Sequence, residues 1–192
     1  MTNKESTFTN MVLTLFIVTL AASTTLGFIY ELTREPIAKA KLREKNMAIR
    51  KVVPDFSNQP NQEAFQVMVE EDSLTIFPAK QNDQLVGIAV STFTDQGFSG
   101  KIRLMVGFNP DGTINNISVL DHAETPGLGD KIEKSKSDWS KQFKGKNPEN
   151  FNLQVKKDGG DVDAITAATI SSRAYCDAVQ RAYQAFRKGG YE

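Results

Sequence analysis

From Met11 to Tyr30 the chain is predominantly apolar and carries no charge. At 1.5 Å per residue, a helix of that length just crosses a hydrocarbon core of about 30 Å. A cleaved signal peptide has a shorter apolar stretch ending in a small-x-small site, whereas this run continues through Phe28-Ile29-Tyr30. The pattern therefore predicts an uncleaved transmembrane helix over residues 10–31, behind a short tail (1–9), with Tyr30 at the membrane interface. Residues 32–62 read as a connecting helix and loop. Glu31-Leu-Thr-Arg-Glu-Pro36 suggests a break, with Pro36 in the first turn of a new helix. Ile37, Ala40, Met47 and Ala48, interleaved with basic residues, carry that helix to about Lys51. Its charges suit either a membrane surface or a solvated helix face.

Beyond residue 63 the periodicity shortens. Ser73–Ala79 and Gln84–Thr92 read as strands around the turn Gln81-Asn82-Asp83. Lys101–Phe108 and Ile114–Leu120 form a second pair around Asn109-Pro-Asp-Gly112, a strong hairpin signal. Short helices are expected at Asp130–Lys136 and Trp139–Phe143, and an edge strand at Phe151–Val155. The period then changes to that of a helix. Ala174, Tyr175, Ala178, Val179, Ala182, Tyr183 and Phe186 share one face of a helix over about Ile170–Arg187. That face predicts core, which makes Tyr175 and Tyr183 packing residues. The fold class is α+β: one N-terminal transmembrane helix, then a mainly antiparallel sheet of four or five strands packed with helices (residues 63–192).

Composition adds exclusions. Lys plus Arg and Asp plus Glu both number 23, so nothing favours nucleic acid as a partner. A lone Cys176 and a lone His122 exclude an internal disulfide and offer no metal-ligand spacing. His122 can sit near a ligand or act as a hydrogen-bonded structural residue. There is no GxGxxG, no Walker loop and no Ser-His-Asp arrangement. Around the membrane run, Arg34, Lys39, Lys41, Arg43, Lys45, Arg50 and Lys51 follow it, offset by Glu35 and Glu44, against Lys4 and Glu5 before it. The positive-inside rule would keep the C-terminal flank cytoplasmic.

Two segments carry candidate chemistry. In Asp163-Ala-Ile-Thr166-Ala167-Ala168-Thr169-Ile-Ser171-Ser172-Arg173, hydroxyls cluster where a helix begins. The open amides and positive dipole end of a helix N-terminus suit a phosphate. Local chemistry alone favours a simple N-cap at Thr169 or Ser171. In Glu124-Thr125-Pro126-Gly127-Leu128-Gly129-Asp130, Pro126 fixes φ while Gly127 and Gly129 permit positive φ. That tight turn can lay Leu128 and backbone amides against a flat ring, or can merely precede a helix. Glu124 can face such a ring or bond the turn amides.

Together, and in this order, the two segments resemble the covalent FMN-binding domain family. Thr166-Ala-Ala-Thr169 is similar to its Ser/Thr-Gly-Ala-Thr motif. Glu124–Gly129 is similar to the Glu-Thr-Pro-Gly-Leu-Gly loop of the G subunit of the Rnf electron-transport complex. The C subunit of the Na⁺-translocating NADH:quinone reductase has a related loop and is the alternative within the family. A membrane-anchored binding module that kept the fold without redox chemistry is the alternative outside it.

The resemblance implies FMN joined through a phosphoester to Thr169, with Thr166, Ala167, Ala168 and Ser171 around the phosphate. It implies backbone contacts to the ring from Thr125 and Gly127, Leu128 packed on it, Glu124 beside it, and Gly100, in Phe98-Ser99-Gly100, allowing close approach. It further implies a subunit without turnover of its own, relaying electrons in an ion-translocating ferredoxin:NAD⁺ oxidoreductase. Its partners would be the other membrane and peripheral subunits, a flavin transferase using FAD, and membrane lipid. The flavin domain is then expected on the periplasmic face of the inner membrane, against the charge count. Ala167 departs from the family's glycine, which matters if that position needs positive φ.

Overall fold

The computed structural model describes residues 7–190. Lys4 and Glu5, used in the charge count, lie outside the described residues. The chain divides into two units, before and after the Lys45–Asn46 junction.

The first unit is helical. Helix α1 (Phe8–Val52) is long and apolar enough to cross a membrane, and the large apolar residues of its Met11–Tyr30 stretch are exposed. Hydroxyls inside this run turn back onto the preceding helical turn. Thr14 Oγ1 donates to the Asn10 carbonyl at 2.7 Å, Thr24 Oγ1 to Leu20 and Thr25 Oγ1 to Ala21, both at 2.8 Å. A hydrocarbon environment offers such groups no other partner, so this internal bonding makes the Thr-rich stretch compatible with lipid. The expected break at Glu31–Pro36 does not occur, because the helix continues through Pro36. Proline removes one backbone donor, but good helix formers follow it (Ala38, Ala40, Leu42). Lys39 also pairs with Glu35 at 2.5 Å across one turn.

The second unit is built on a five-stranded meander. The strands are β1 (Phe65–Val69), β2 (Asp72–Gln81), β3 (Gln84–Gly97), β4 (Gly100–Phe108) and β5 (Ile114–Asp121), all antiparallel in sequential order. The β2–β3 turn takes positive φ at Asn82 and Asp83 (49° and 62°), residues that tolerate it. At the β4–β5 turn the Gly112 amide donates to the Asn109 carbonyl at 3.0 Å. Alternation along the strands then sorts the two faces. Ile88, Val90, Ile102, Leu104, Val106 and Phe108 meet helix α2 (Thr169–Lys188), whose buried stripe is the one expected. Phe77, Ala79, Ala89 and Met105 point the other way, where Ala48, Ile49 and Val52 at the end of α1 and the following Val53 cover them.

That second contact needs glycine. A Cβ on Gly107 would stand 1.9 Å from the Val52 carbonyl oxygen, so the helix end and the strand touch backbone to backbone. Asn115 and Asn116 cap the last α1 carbonyls, donating to Val52 at 2.8 Å and Lys51 at 2.6 Å.

Three further expectations change in the second unit. The strand at Phe65–Val69 was not anticipated. Phe151–Val155 is not an edge strand, and only Val155 forms an isolated parallel bridge to Val162. The helix expected at Asp130–Lys136 is a short 3-10 turn, Gly129–Ile132. Asp130–Lys136 has a single apolar residue, Ile132, so it offers no apolar stripe for an α-helix to bury. Further 3-10 turns occupy Trp139–Phe143, as expected, and Lys156–Asp158.

Candidate functional site

The two motifs, distant in sequence, meet at the start of α2. Its cap position is Ala168 (φ −135°, ψ 46°), and no side chain bonds the first-turn amides. The simple-cap reading of Thr169 and Ser171 therefore fails. Thr169 is the first helical residue and is half-buried. The amides of Thr169, Ile170 and Ser171 precede the first helical bond, from Ser172 N–H to the Ala168 carbonyl at 3.1 Å. They form an open anion-binding end.

The preceding turn is held from several sides. The Ala168 amide donates to the Ile165 carbonyl at 3.0 Å, closing a four-residue turn. Its third residue, Ala167, has φ 63°, so the position does require the left-handed conformation that glycine adopts freely. Ser172 Oγ accepts from the Ile165 amide at 2.9 Å and donates to the Ala168 carbonyl at 3.0 Å. Farther back, the Asp163 amide donates to Gln142 Oε1 at 2.8 Å, and Trp139 Nε1 donates to the Asp163 carbonyl.

The upstream loop approaches this helix start. The amides of Leu128 and Asp130 both donate to the Thr125 carbonyl, at 3.2 and 3.3 Å, and Gly127 has φ 77°. The Glu124 carboxylate, 4% exposed, accepts from the Ser99 amide at 3.0 Å and from the Ser171 hydroxyl. A Cβ on Gly129 would fall 2.6 Å from Ser171 Oγ and 2.7 Å from Glu124 Oε2, so only glycine lets the loop and helix come this close. His122 is structural here. Its Nδ1 accepts from the Glu124 amide at 3.0 Å, which leaves Nε2 to donate to Glu133 at 2.7 Å. Bonds from Ser135 first and His122 second hold the Glu133 carboxyl below its ordinary range.

Between these segments lies a cavity of about 330 Å³, lined by Phe98, Glu124, Thr125, Leu128, Gly129 and Ala167–Ser171. Seven of the residues singled out in the sequence share this wall: Glu124, Thr125, Leu128, Ala167, Ala168, Thr169 and Ser171. Thr166, Gly127 and Gly100 do not line it. Gly100 has φ 108° in the β3–β4 turn, and a Cβ there would meet nothing, so its requirement is conformational. Gly129 of the expected loop also lines the cavity, whereas Phe98 and Ile170 are lining residues that the sequence did not single out. Phe98, an aromatic 66% exposed at the tip of a two-residue hairpin loop, was the available signal, since such loops favour Gly, Asn and Asp.

A larger cavity of about 640 Å³ involves Asn152, Asp158, Arg173, Cys176 and Asp177. None of the residues expected at a flavin lines it, and Arg173 is closed onto Asp158 by two bonds of 2.6 and 2.7 Å. Burial pushes the Cys176 thiol up to about 12, so thiolate chemistry is shut off there. Among the described residues no cluster of His, Cys, Asp and Glu could hold a metal.

An open helix N-terminus beside a largely apolar slot suits a phosphate joined to a flat ring system, the chemistry of a flavin nucleotide. Residues 97–184 match the FMN-binding domain family. Over 172 residues the chain is 33% identical to the G subunit of the ion-translocating oxidoreductase complex of Shewanella amazonensis, covering 84% of this chain and 80% of that protein. It is 35% identical over 185 residues to the G subunit of the same complex from Aliivibrio fischeri (90% and 86% covered). To that of Escherichia coli it is 37% identical over 162 residues (80% and 79% covered). The chain belongs to the family of ion-translocating oxidoreductase complex G subunits.

Proposed function

We propose that this protein is the membrane-anchored flavoprotein subunit of an ion-translocating ferredoxin:NAD⁺ oxidoreductase, relaying electrons through FMN covalently held at Thr169. The observation that carries the reading is the convergence of Thr169, the open amides of α2 and the Glu124–Gly129 loop on one cavity. The residues present fit the group. Three first-turn amides and the helix dipole suit its phosphate, while Phe98, Leu128 and Ile170 offer apolar surface to its ring.

Bound there, FMN supplies one- and two-electron redox chemistry, and the protein supplies position and electrostatics. Thr169 Oγ1 would hold the phosphate as a phosphoester, Thr166–Ala168 shape the turn that leads into it, and Ser171 anchors the helix start. Thr125 would present backbone to the ring and Leu128 would pack on it, while Gly127, off the cavity wall, gives the loop its positive-φ turn. A covalent tether would keep the cofactor from being lost; a flavin transferase would install it by breaking the pyrophosphate bond of FAD, joining the FMN phosphate to Thr169 Oγ1 and releasing AMP and the hydroxyl proton. The subunit turns nothing over alone, so its partners are the other subunits of the complex and the lipid around α1. Its flavin domain faces the periplasm. Alkaline phosphatase fused after Lys188 should be active, and activity only from a cytoplasmic reporter at that junction would reverse this orientation.

The decisive test of the cofactor assignment is denaturing electrophoresis of protein co-produced with a flavin transferase. The wild-type band should fluoresce under ultraviolet light and Thr169→Ala should be dark. Equal fluorescence from the Ala variant would place the attachment elsewhere.

A further inference from the structure

Glu124 is buried on the wall of the cavity, and both of its oxygens are engaged by protein donors from different elements. Oε1 accepts from the Ser99 amide in the β3–β4 turn at 3.0 Å, and Oε2 accepts from the Ser171 hydroxyl in the first turn of α2. The chain leaves room for this carboxylate at two glycines. A Cβ on Gly97 would stand 2.8 Å from Oε1, and one on Gly129 2.7 Å from Oε2. The Glu124 backbone is itself fixed, its amide donating to His122 Nδ1 at 3.0 Å while His122 is held by Glu133.

We propose that Glu124 is the positioning residue of the site, fastening the start of α2 to the β3–β4 turn, and that its charge lowers the reduction potential of a flavin bound there. The second half rests on the FMN reading. Both oxygens are spent on Ser99 and Ser171, so Glu124 acts on the phosphate end through Ser171. Its charge acts on the ring through space. Reduction adds electron density to the ring, and a carboxylate screened from water opposes it.

Glu124→Gln separates the two effects, because the amide can accept from Ser99 and donate to the Ser171 hydroxyl without carrying charge. The flavinylated Gln variant should retain the wild-type flavin content, with a more positive potential favouring the reduced form by about tenfold at fixed ambient potential. Glu124→Ala and Ser171→Ala lose the fastening. In flavin-free protein, hydrogen exchange at the Ser172 and Arg173 amides should quicken by about tenfold. Ser171→Ala removes one hydroxyl and provides this readout if Glu124→Ala does not fold. An unchanged potential in Glu124→Gln, or unchanged exchange in Ser171→Ala, overturns the proposal. Flavin retained by Thr169→Ala would instead refute the attachment site, and the exchange experiment, made without flavin, is unaffected by that outcome.

Discussion

Ala167→Gly is the sharpest probe of how the helix start is built. Ala167 has φ 63° in the turn closed by the Ala168 amide and the Ile165 carbonyl. For an L-residue the left-handed conformation costs about 1–2 kcal/mol, because Cβ crowds the following carbonyl oxygen. Glycine removes that cost but adds about 0.5–1 kcal/mol of chain entropy in the unfolded state. The difference leaves a net stabilisation of about 0.5–1 kcal/mol. In a unit of this size that is a rise of about 1–4 °C in melting temperature. Ala167 is exposed, and no cavity opens on removing its methyl. Denaturant titration of the detergent-solubilised chain, followed by near-ultraviolet circular dichroism, measures the change. Ala167→Val is the opposing control, since a β-branched side chain at positive φ should destabilise by about 1 kcal/mol or more. If glycine destabilised the protein, or valine were neutral, the positive-φ turn would be wrong. Flavin content should stay at the wild-type level in Ala167→Gly, because the backbone path into Thr169 is unaltered.

Two further substitutions test the sheet packing and the ring contact. Gly107→Ala puts a methyl 1.9 Å from the Val52 carbonyl oxygen and 2.4 Å from its carbon. Neither backbone atom can yield cheaply, so a loss of about 3 kcal/mol or more is expected in the denaturant midpoint; a neutral variant would mean the α1 end does not press on β4. Leu128→Ala should cost the flavin-free protein less than about 1 kcal/mol, since the side chain is 42% exposed, yet shift the flavin spectrum and potential. An unchanged spectrum in fully flavinylated protein would reduce the loop to a structural turn.

Much of this protein was legible along the chain because its signals are local. The charge-free run Met11–Tyr30 needs only length and composition to be read as a membrane helix. The hairpin turns at Asn82-Asp83 and Pro110-Asp111-Gly112 declare themselves through turn-forming residues, of which Asn82, Asp83 and Gly112 take positive φ, and the stripe from Ala174 to Phe186 through its 3.6-residue period. The departure from a motif that places glycine at Ala167 raised the question of positive φ there, and the structure answers it with φ 63°. Other features depended on partners remote in sequence. Whether Thr169 and Ser171 cap the helix could not be settled locally, because Ser171 is drawn to Glu124, 47 residues upstream. Phe98 joins the wall only because the β3–β4 turn folds over the start of α2. Gly107 and Gly129 look like ordinary strand and loop glycines until the Val52 carbonyl and the Glu124 carboxylate arrive beside them. Propensity and period act over a few residues, whereas close approach and the satisfaction of a buried carboxylate depend on what the rest of the chain brings to the same point in space.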